Sequence, residues 1–128
     1  MTTATDTRES LSAALKTSTA EAHDKAEHSV FMDELLAGKL SVADFIALQE
    51  QSWLFYSALE DAARAVADHP LASGIVDPAL ERVNALEHDL NHLHGSTEWR
   101  TTVTPLPATV EYIARLNDIE DLVRTSRL

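Results

Sequence analysis

The sequence predicts an all-α fold, and three observations lead there. Apolar residues recur every three or four positions through four long segments. No run of strict alternation is long enough for a half-buried strand. The helix breakers are few, three glycines and four prolines in 128 residues, and they stand at or between the ends of the periodic segments.

Taken in order, residues 1–9 are polar and are expected to form a flexible N-terminus ahead of one helical domain over residues 10–128. Ser10 suits an N-cap for a helix to about Glu27, with Leu11, Leu15, Ser18, Ala22 and Ala26 along one face. A short helix follows from about Val30 to Ala37, with Gly38 at its C′ position. Ser41 and Asp44 form a capping box with Asp in place of Glu. They open a long central helix to about Asp68, whose expected core stripe is Phe45, Leu48, Ser52, Tyr56, Leu59, Ala63 and Val66. Trp53, Phe55 and Tyr56, at helical spacing, read as core and core-flanking residues rather than an aromatic binding box. Asp77-Pro78 supplies an N-cap and an N1 proline for a fourth helix, closed by Gly95 and carrying Leu80, Val83, Leu86, Leu90 and Leu93. A loop through Glu98-Trp99 leads to a last helix from about Pro107 to Val123, with Val110, Ile113 and Leu116 as its core face.

Composition narrows the function classes. Hydrophobic residues make up 45% of the chain and charged residues 24%, enough apolar material for one core. Ten Lys and Arg stand against 21 Asp and Glu, a formal charge of −11 that opposes binding to phosphate backbones. Nucleic acid is therefore not an expected partner. Without cysteine there is no disulfide, thiolate chemistry or Cys-based zinc site. No segment approaches the roughly 18–20 apolar residues of a membrane span, and no apolar leader opens the sequence, so a cytoplasmic protein without membrane association is expected.

The first helix carries the chemistry. Lys16, His23 and Glu27 are spaced i, i+7 and i+11, which at about 100° per residue brings them within roughly 20° of one angular position. A cation, an imidazole and a carboxylate thus share one edge beside the apolar face. A neutral imidazole can ligate iron through one nitrogen and donate a hydrogen bond through the other, and a carboxylate one turn on can accept it. On spacing alone, His23 and Glu27 read more readily as an i, i+4 surface pair, and Lys16 as a solvated lysine. His88 and His92, four apart on the fourth helix, could chelate a divalent metal, but they lie away from the Leu86/Leu90 face with no third ligand placed, and read as solvated surface.

The segment Leu15-Lys16-Thr17-Ser18-Thr19-Ala20-Glu21-Ala22-His23-Asp24-Lys25-Ala26-Glu27 resembles the proximal helix of the heme oxygenases, those of soluble bacterial type above all. The similarity continues through Phe31-Met32, the Gly38 turn, Leu54-Phe55-Tyr56-Ser57-Ala58-Leu59-Glu60, Asp77-Pro78-Ala79-Leu80 and Glu98-Trp99-Arg100, from about Leu11 to Leu122. The resemblance implies a heme-oxygenase-like multi-helical domain. In it His23 is the proximal iron ligand, Glu27 contacts that histidine, and Lys16 meets a heme propionate. Thr19 and Met32 line the pocket, and Tyr56 joins a polar network beyond the heme. The activity implied is cleavage of heme to biliverdin, carbon monoxide and ferrous iron, serving heme degradation and iron acquisition. Heme is both substrate and prosthetic group, with dioxygen and an electron-donating reductase or ferredoxin.

The family also has a distal helix, marked by Leu-Gly-Asp-Leu-Ser-Gly-Gly, that carries the oxygen-activating groups. No such stretch follows Asn117–Val123, and no glycine follows Gly95. The expectation is a chain shortened before that helix, with its C-terminal part missing and no catalytic residue assignable. One heme face would be open, and an apolar face would be available for self-association. A heme-binding module without turnover and a helical scaffold without ligand stand as alternatives.

Overall fold

The computed structural model describes residues 8–127, so the flexible stretch expected over residues 1–9 lies mostly outside the described residues. Among the described residues there are five α-helices, two one-turn 3-10 helices and no strand, as an all-α chain requires. No helix among them is long and apolar enough to cross a membrane. The contacts divide the chain into two compact units, one ending at Leu40 and one beginning at Ser41.

The first unit holds α1 (Leu11–Glu27) and α2 (Val30–Leu36). Each begins on a serine in extended conformation: Ser10 Oγ accepts the Ala13 N–H at 3.2 Å, and Ser29 Oγ accepts the Met32 N–H at 3.3 Å. Behind α2 the chain reverses at Gly38, whose φ of 70° lies in the left-handed region. The N–H groups of Gly38 and Lys39 return to the carbonyls of Leu35 and Glu34. The apolar face expected on α1 is not covered: the helix buries no residue, and Leu11 and Leu15 are exposed. Within the unit its companion is the seven-residue α2, whose own Val30, Phe31 and Leu36 are also exposed.

The second unit is built on α3 (Val42–Ala65), against which α4 (Val83–His94) and α5 (Pro107–Thr125) both pack. The capping box that opens α3 is complete. Asp44 N–H reaches Ser41 Oγ at 3.2 Å, and Ser41 N–H reaches Asp44 Oδ2 at 3.0 Å. At the other end α3 stops at Ala65, three residues short of the expected Asp68, and turns through residues 66–76. There the His69 ring bridges two segments. Its Nδ1 accepts the Leu71 N–H at 3.1 Å, so Nε2 carries the proton toward the Ser126 carbonyl at 3.1 Å.

The helix expected from Asp77-Pro78 is divided. Asp77 caps only the 3-10 turn Pro78–Leu80, with Oδ1 accepting the Ala79 N–H at 2.9 Å, and α4 begins five residues later at Val83. Leu80 accordingly leaves the core stripe and is 62% exposed. The core lies around Leu86, the fully buried Leu90, Ala62, Val66, Ala72 and Trp99. Trp99, placed by sequence in a loop, sits in the 3-10 turn Glu98–Thr101 and is only 3% exposed. It packs edge-on against Trp53 at 4.9 Å between centroids. Its indole N–H donates to Asn91 at 2.8 Å, and the Trp53 N–H donates to Glu87 at 3.2 Å.

Neither α4 nor α5 has a capping side chain of its own; their N-cap residues are Arg82 and Leu106. α3 supplies both caps from a distance. The Glu60 carboxylate, in a side chain 6% exposed, accepts the N–H groups of Arg82 at 3.0 Å and Val83 at 3.2 Å. Gln51 Oε1 accepts the Leu106 N–H at 3.0 Å and the Thr109 hydroxyl at 2.6 Å, while its amide donates to the Thr104 carbonyl at 3.0 Å. Glu60 and Gln51 are nine residues apart, about 180° around the helix, so each serves one neighbour. This explains a second departure on α5. Thr109, not Val110, is the buried residue of the first turn, and the inward face runs Thr109, Ile113, Leu116, Glu120 and Val123. It also explains why α3 is half-buried all round from Leu48 to Ala58 rather than along one stripe, with Phe45 and Leu59 exposed.

Two predictions follow from the caps. Replacing Glu60 by alanine leaves the Arg82 and Val83 N–H groups without their acceptor and is expected to cost about 1–3 kcal/mol in urea unfolding, with Glu60→Gln losing less because it keeps one acceptor oxygen. A Glu60→Ala midpoint equal to that of the parent chain would contradict the remote-cap assignment. The Asp44 carboxyl is held below its ordinary value of 3.8, first by the Ser41 backbone N–H and then by the Ser41 hydroxyl. A depressed folded-state value stabilises above the unfolded one, so this contribution is present above about pH 4 and fades as pH falls through the lower folded value. NMR titration of the Asp44 carboxyl should show the depressed midpoint, moving only part of the way back toward 3.8 in Ser41→Ala, which removes the hydroxyl but keeps the backbone N–H.

Candidate functional site

The helical spacing of Lys16, Thr19, Ala20, His23 and Asp24 places them on one side of α1, where they line a shallow groove. Three of the residues expected at the site, Lys16, Thr19 and His23, therefore share one surface. A fourth, Glu27, lies a turn beyond, with Oε2 3.6 Å from His23 Nδ1. That separation is too long for a hydrogen bond, but a small side-chain rotation would close it. The His23 side chain is 75% exposed and that of Glu27 57%. The ring points to solvent, its Nδ1 edge turned toward the carboxylate and no hydrogen bond engaging Nε2 among the described residues. Lys16 is exposed as well.

The floor of the groove is made of small side chains. Ala20 adds a single methyl, and the Thr19 hydroxyl donates to the Leu15 carbonyl at 2.7 Å, which leaves Thr19 to act as an apolar contact. A planar group could approach the helix closely there. Ala20 and Asp24 were not singled out from the sequence. The signal for them was present, since they stand four and eight residues after Lys16 on the same 3–4 spacing. Asp24 Oδ1 lies 3.5 Å from His28 Nε2, and the ligand atoms of Asp24, Glu27 and His28 fall within 4.8 Å of one another at the C-terminal end of α1. All three residues are exposed.

The other expected site residues occupy other elements. Met32 is half-buried on α2, its N–H held by Ser29. Tyr56 belongs to the second unit. There it packs against Phe55 at 5.0 Å between ring centroids and lines an apolar groove of about 250 Å³ with Leu59, Ala63, Ile75, Val76 and Leu80, beside the Arg64–Glu81 ion pair. His88 and His92 are exposed on α4, as expected of a solvated face.

The donor set on α1 fits a heme. An accessible imidazole can ligate iron, a carboxylate within reach of its second nitrogen can orient it, small residues can admit the macrocycle, and a lysine two turns away can meet an anionic edge.

Comparison with known proteins points the same way. The heme oxygenase family model matches residues 9–126. Heme oxygenase 1 of Gallus gallus is 35% identical over 108 residues, 84% of this chain and 36% of its own length. The heme oxygenase of Rhodella violacea is 31% identical over 107 residues, 84% of this chain and 45% of its own. Heme oxygenase 1 of Synechocystis sp. is 31% identical over 109 residues, 85% of this chain and 45% of its own. The chain thus spans less than half the length of these relatives. Matched across almost all of its own length, it belongs to the heme oxygenase family.

Proposed function

We propose that this chain forms the proximal wall of a heme oxygenase, holding heme on α1 for oxidative opening to biliverdin, carbon monoxide and ferrous iron. The observation that carries the proposal is the shared surface of Lys16, Thr19, Ala20 and His23, with the Glu27 carboxylate 3.6 Å from the imidazole. In this reading His23 Nε2 holds the iron, so the proton of the ring stays on Nδ1 and is donated to Glu27. The negative charge of Glu27 fixes the ring plane and strengthens the imidazole as a donor. The Lys16 ammonium pairs with a propionate, and Thr19, Ala20 and Met32 cover part of the porphyrin. Bound heme supplies the iron at which dioxygen is reduced. No residue of this chain is assigned to the oxygen chemistry itself. Tyr56, with its ring half-buried on α3, is assigned to the polar surroundings of the heme.

The reading carries partners with it. Electrons come from a reductase or a ferredoxin, and the setting is cytoplasmic. Self-association would use the apolar surface around the Tyr56 groove, where Leu59, Ile75 and Leu80 are exposed.

A hemin titration followed by visible absorption tests the site. A saturable Soret band is expected, lost in His23→Ala. Affinity should fall about 10–100-fold in Glu27→Ala, the range for loss of a partner that orients a metal ligand. Ala20→Leu should block binding while leaving the helix intact by circular dichroism. A band that persists unchanged in His23→Ala would remove His23 as the ligand. Adding ascorbate and dioxygen to the complex then separates turnover, seen as verdoheme and biliverdin bands, from capture alone.

A further inference from the structure

Two histidine–carboxylate pairs stand side by side at the C-terminal end of α1, in the run His23-Asp24-Lys25-Ala26-Glu27-His28. In one, Glu27 Oε2 lies 3.6 Å from His23 Nδ1, and this pair belongs to the heme reading. In the other, Asp24 Oδ1 lies 3.5 Å from His28 Nε2, and this pair has no part in it. Asp24 and His28 together with Glu27 make a three-donor group whose ligand atoms all fall within 4.8 Å of one another.

The backbone fixes two of the three donors. His28 is the C-cap residue of α1, and its N–H donates to the Asp24 carbonyl at 3.0 Å. Ser29 then caps α2 through the Met32 N–H, so the chain is tied down on both sides of His28. The 3.5 Å between Asp24 Oδ1 and His28 Nε2 is too long for a hydrogen bond. It is close to the separation of about 3.4 Å between two ligand atoms set tetrahedrally around a cation with bonds of about 2.1 Å. Glu27 lies on the same side of the helix, and its side chain, 57% exposed, brings in the third oxygen by rotation about its own torsions. Neither carboxylate is paired with a lysine or arginine among the described residues, and the partial negative charge of the helix C-terminus adds to theirs. Lys25, the cation of the same turn, is turned about 100° from Asp24 and about 160° from Glu27.

We infer that the C-terminal end of α1 binds one divalent transition-metal cation, such as ferrous iron or cobalt, through Asp24, Glu27 and His28, with water completing its shell. One imidazole beside two carboxylates suits that class better than calcium or magnesium, which take oxygen ligands throughout. The cation site stands apart from the heme reading, because His23 is not among its ligands. Ferrous iron as its natural occupant rests on that reading, in which ring opening frees this ion beside these residues.

The test uses the full, hemin-free chain and Co2+, whose paramagnetism broadens the NMR signals of groups near it. Of the six histidines, His28 is expected to lose its imidazole signals first on Co2+ addition, ahead of the exposed His88 and His92. Asp24→Asn and His28→Ala should each lower Co2+ affinity about tenfold or more, since losing a ligand costs no less than losing a partner that orients one. His92→Ala should leave it unchanged. His28 follows the last residue of α1, so circular dichroism of His28→Ala should match the parent chain. Ferrous iron added without oxygen should displace the cobalt. Broadening that begins at another histidine than His28, or an affinity unchanged in both variants, overturns the cation site. Hemin titration keeps the two readings apart: His28→Ala should give the parent Soret band. A chain that takes Co2+ at His28 yet gives no Soret band retains the cation site and loses the heme reading, and with it ferrous iron as the occupant.

Discussion

The second unit depends on α3 acting as the cap of its neighbours. α4 is twelve residues long and has no capping side chain, a length at which an isolated helix is marginal in water. Its first N–H groups are satisfied by the Glu60 carboxylate, which also opposes the positive end of the helix dipole. On the reverse side of α3, Gln51 does the corresponding work for α5 with three hydrogen bonds, to Thr104, Leu106 and Thr109. A buried carboxylate would ordinarily be costly, and here it is stabilised by hydrogen bonds from the Arg82 and Val83 backbone N–H groups at the start of α4. Helix start and helix packing are thereby a single event. α4 and α5 acquire their caps only when docked on α3, which couples secondary structure to tertiary contact within this unit.

A second tie sits at the far end of α4. Trp99 meets Trp53 in a T-shaped contact, while polar groups of the same cluster are matched in turn. Arg100 lies over the Trp99 ring at 5.4 Å and bonds Glu87 at 3.2 Å, and His94 meets Glu50 at 2.8 Å. Between this cluster and the Glu60 cap, α4 is held at both ends, and Leu86 and Leu90 complete the contact between. The first unit has nothing comparable. α1 is held by its serine cap and its backbone and buries no residue. Lys16, Thr19, His23 and Glu27 therefore stand on a helix with no buried residue. That suits a surface whose apolar partner is a ligand, because the area a porphyrin would cover is not already occupied by protein. Binding there would supply packing that α1 lacks, so ligand and fold would stabilise each other.

Family membership and site geometry bear on different questions. Similarity over residues 9–126 establishes descent and the helical architecture, whereas the α1 groove bears on which residues share one surface. The groove adds Ala20 and Asp24 to the residues that the resemblance had singled out.

Whatever is set within one or two turns of chain was legible in the sequence. Ser10 and Ser41 start helices because a short hydroxyl reaches an N–H three residues on, and Gly38 and Gly95 end them because they accept the left-handed backbone. The stripe of Lys16, His23 and Glu27 follows from helical pitch alone. Tertiary structure decided what lies further apart. Asp77-Pro78 has every local mark of a long helix start, yet α4 begins at Val83 because its cap comes from Glu60, 22 residues earlier. Thr109 displaces Val110 from the core because its hydroxyl meets Gln51 across 58 residues, and Trp99 is buried because Trp53 and Asn91 receive it. Periodicity reports which side of a helix is apolar. It carries no record of which distant donor or acceptor will face that side, and in this chain those remote polar partners set where helices begin and which residues are buried.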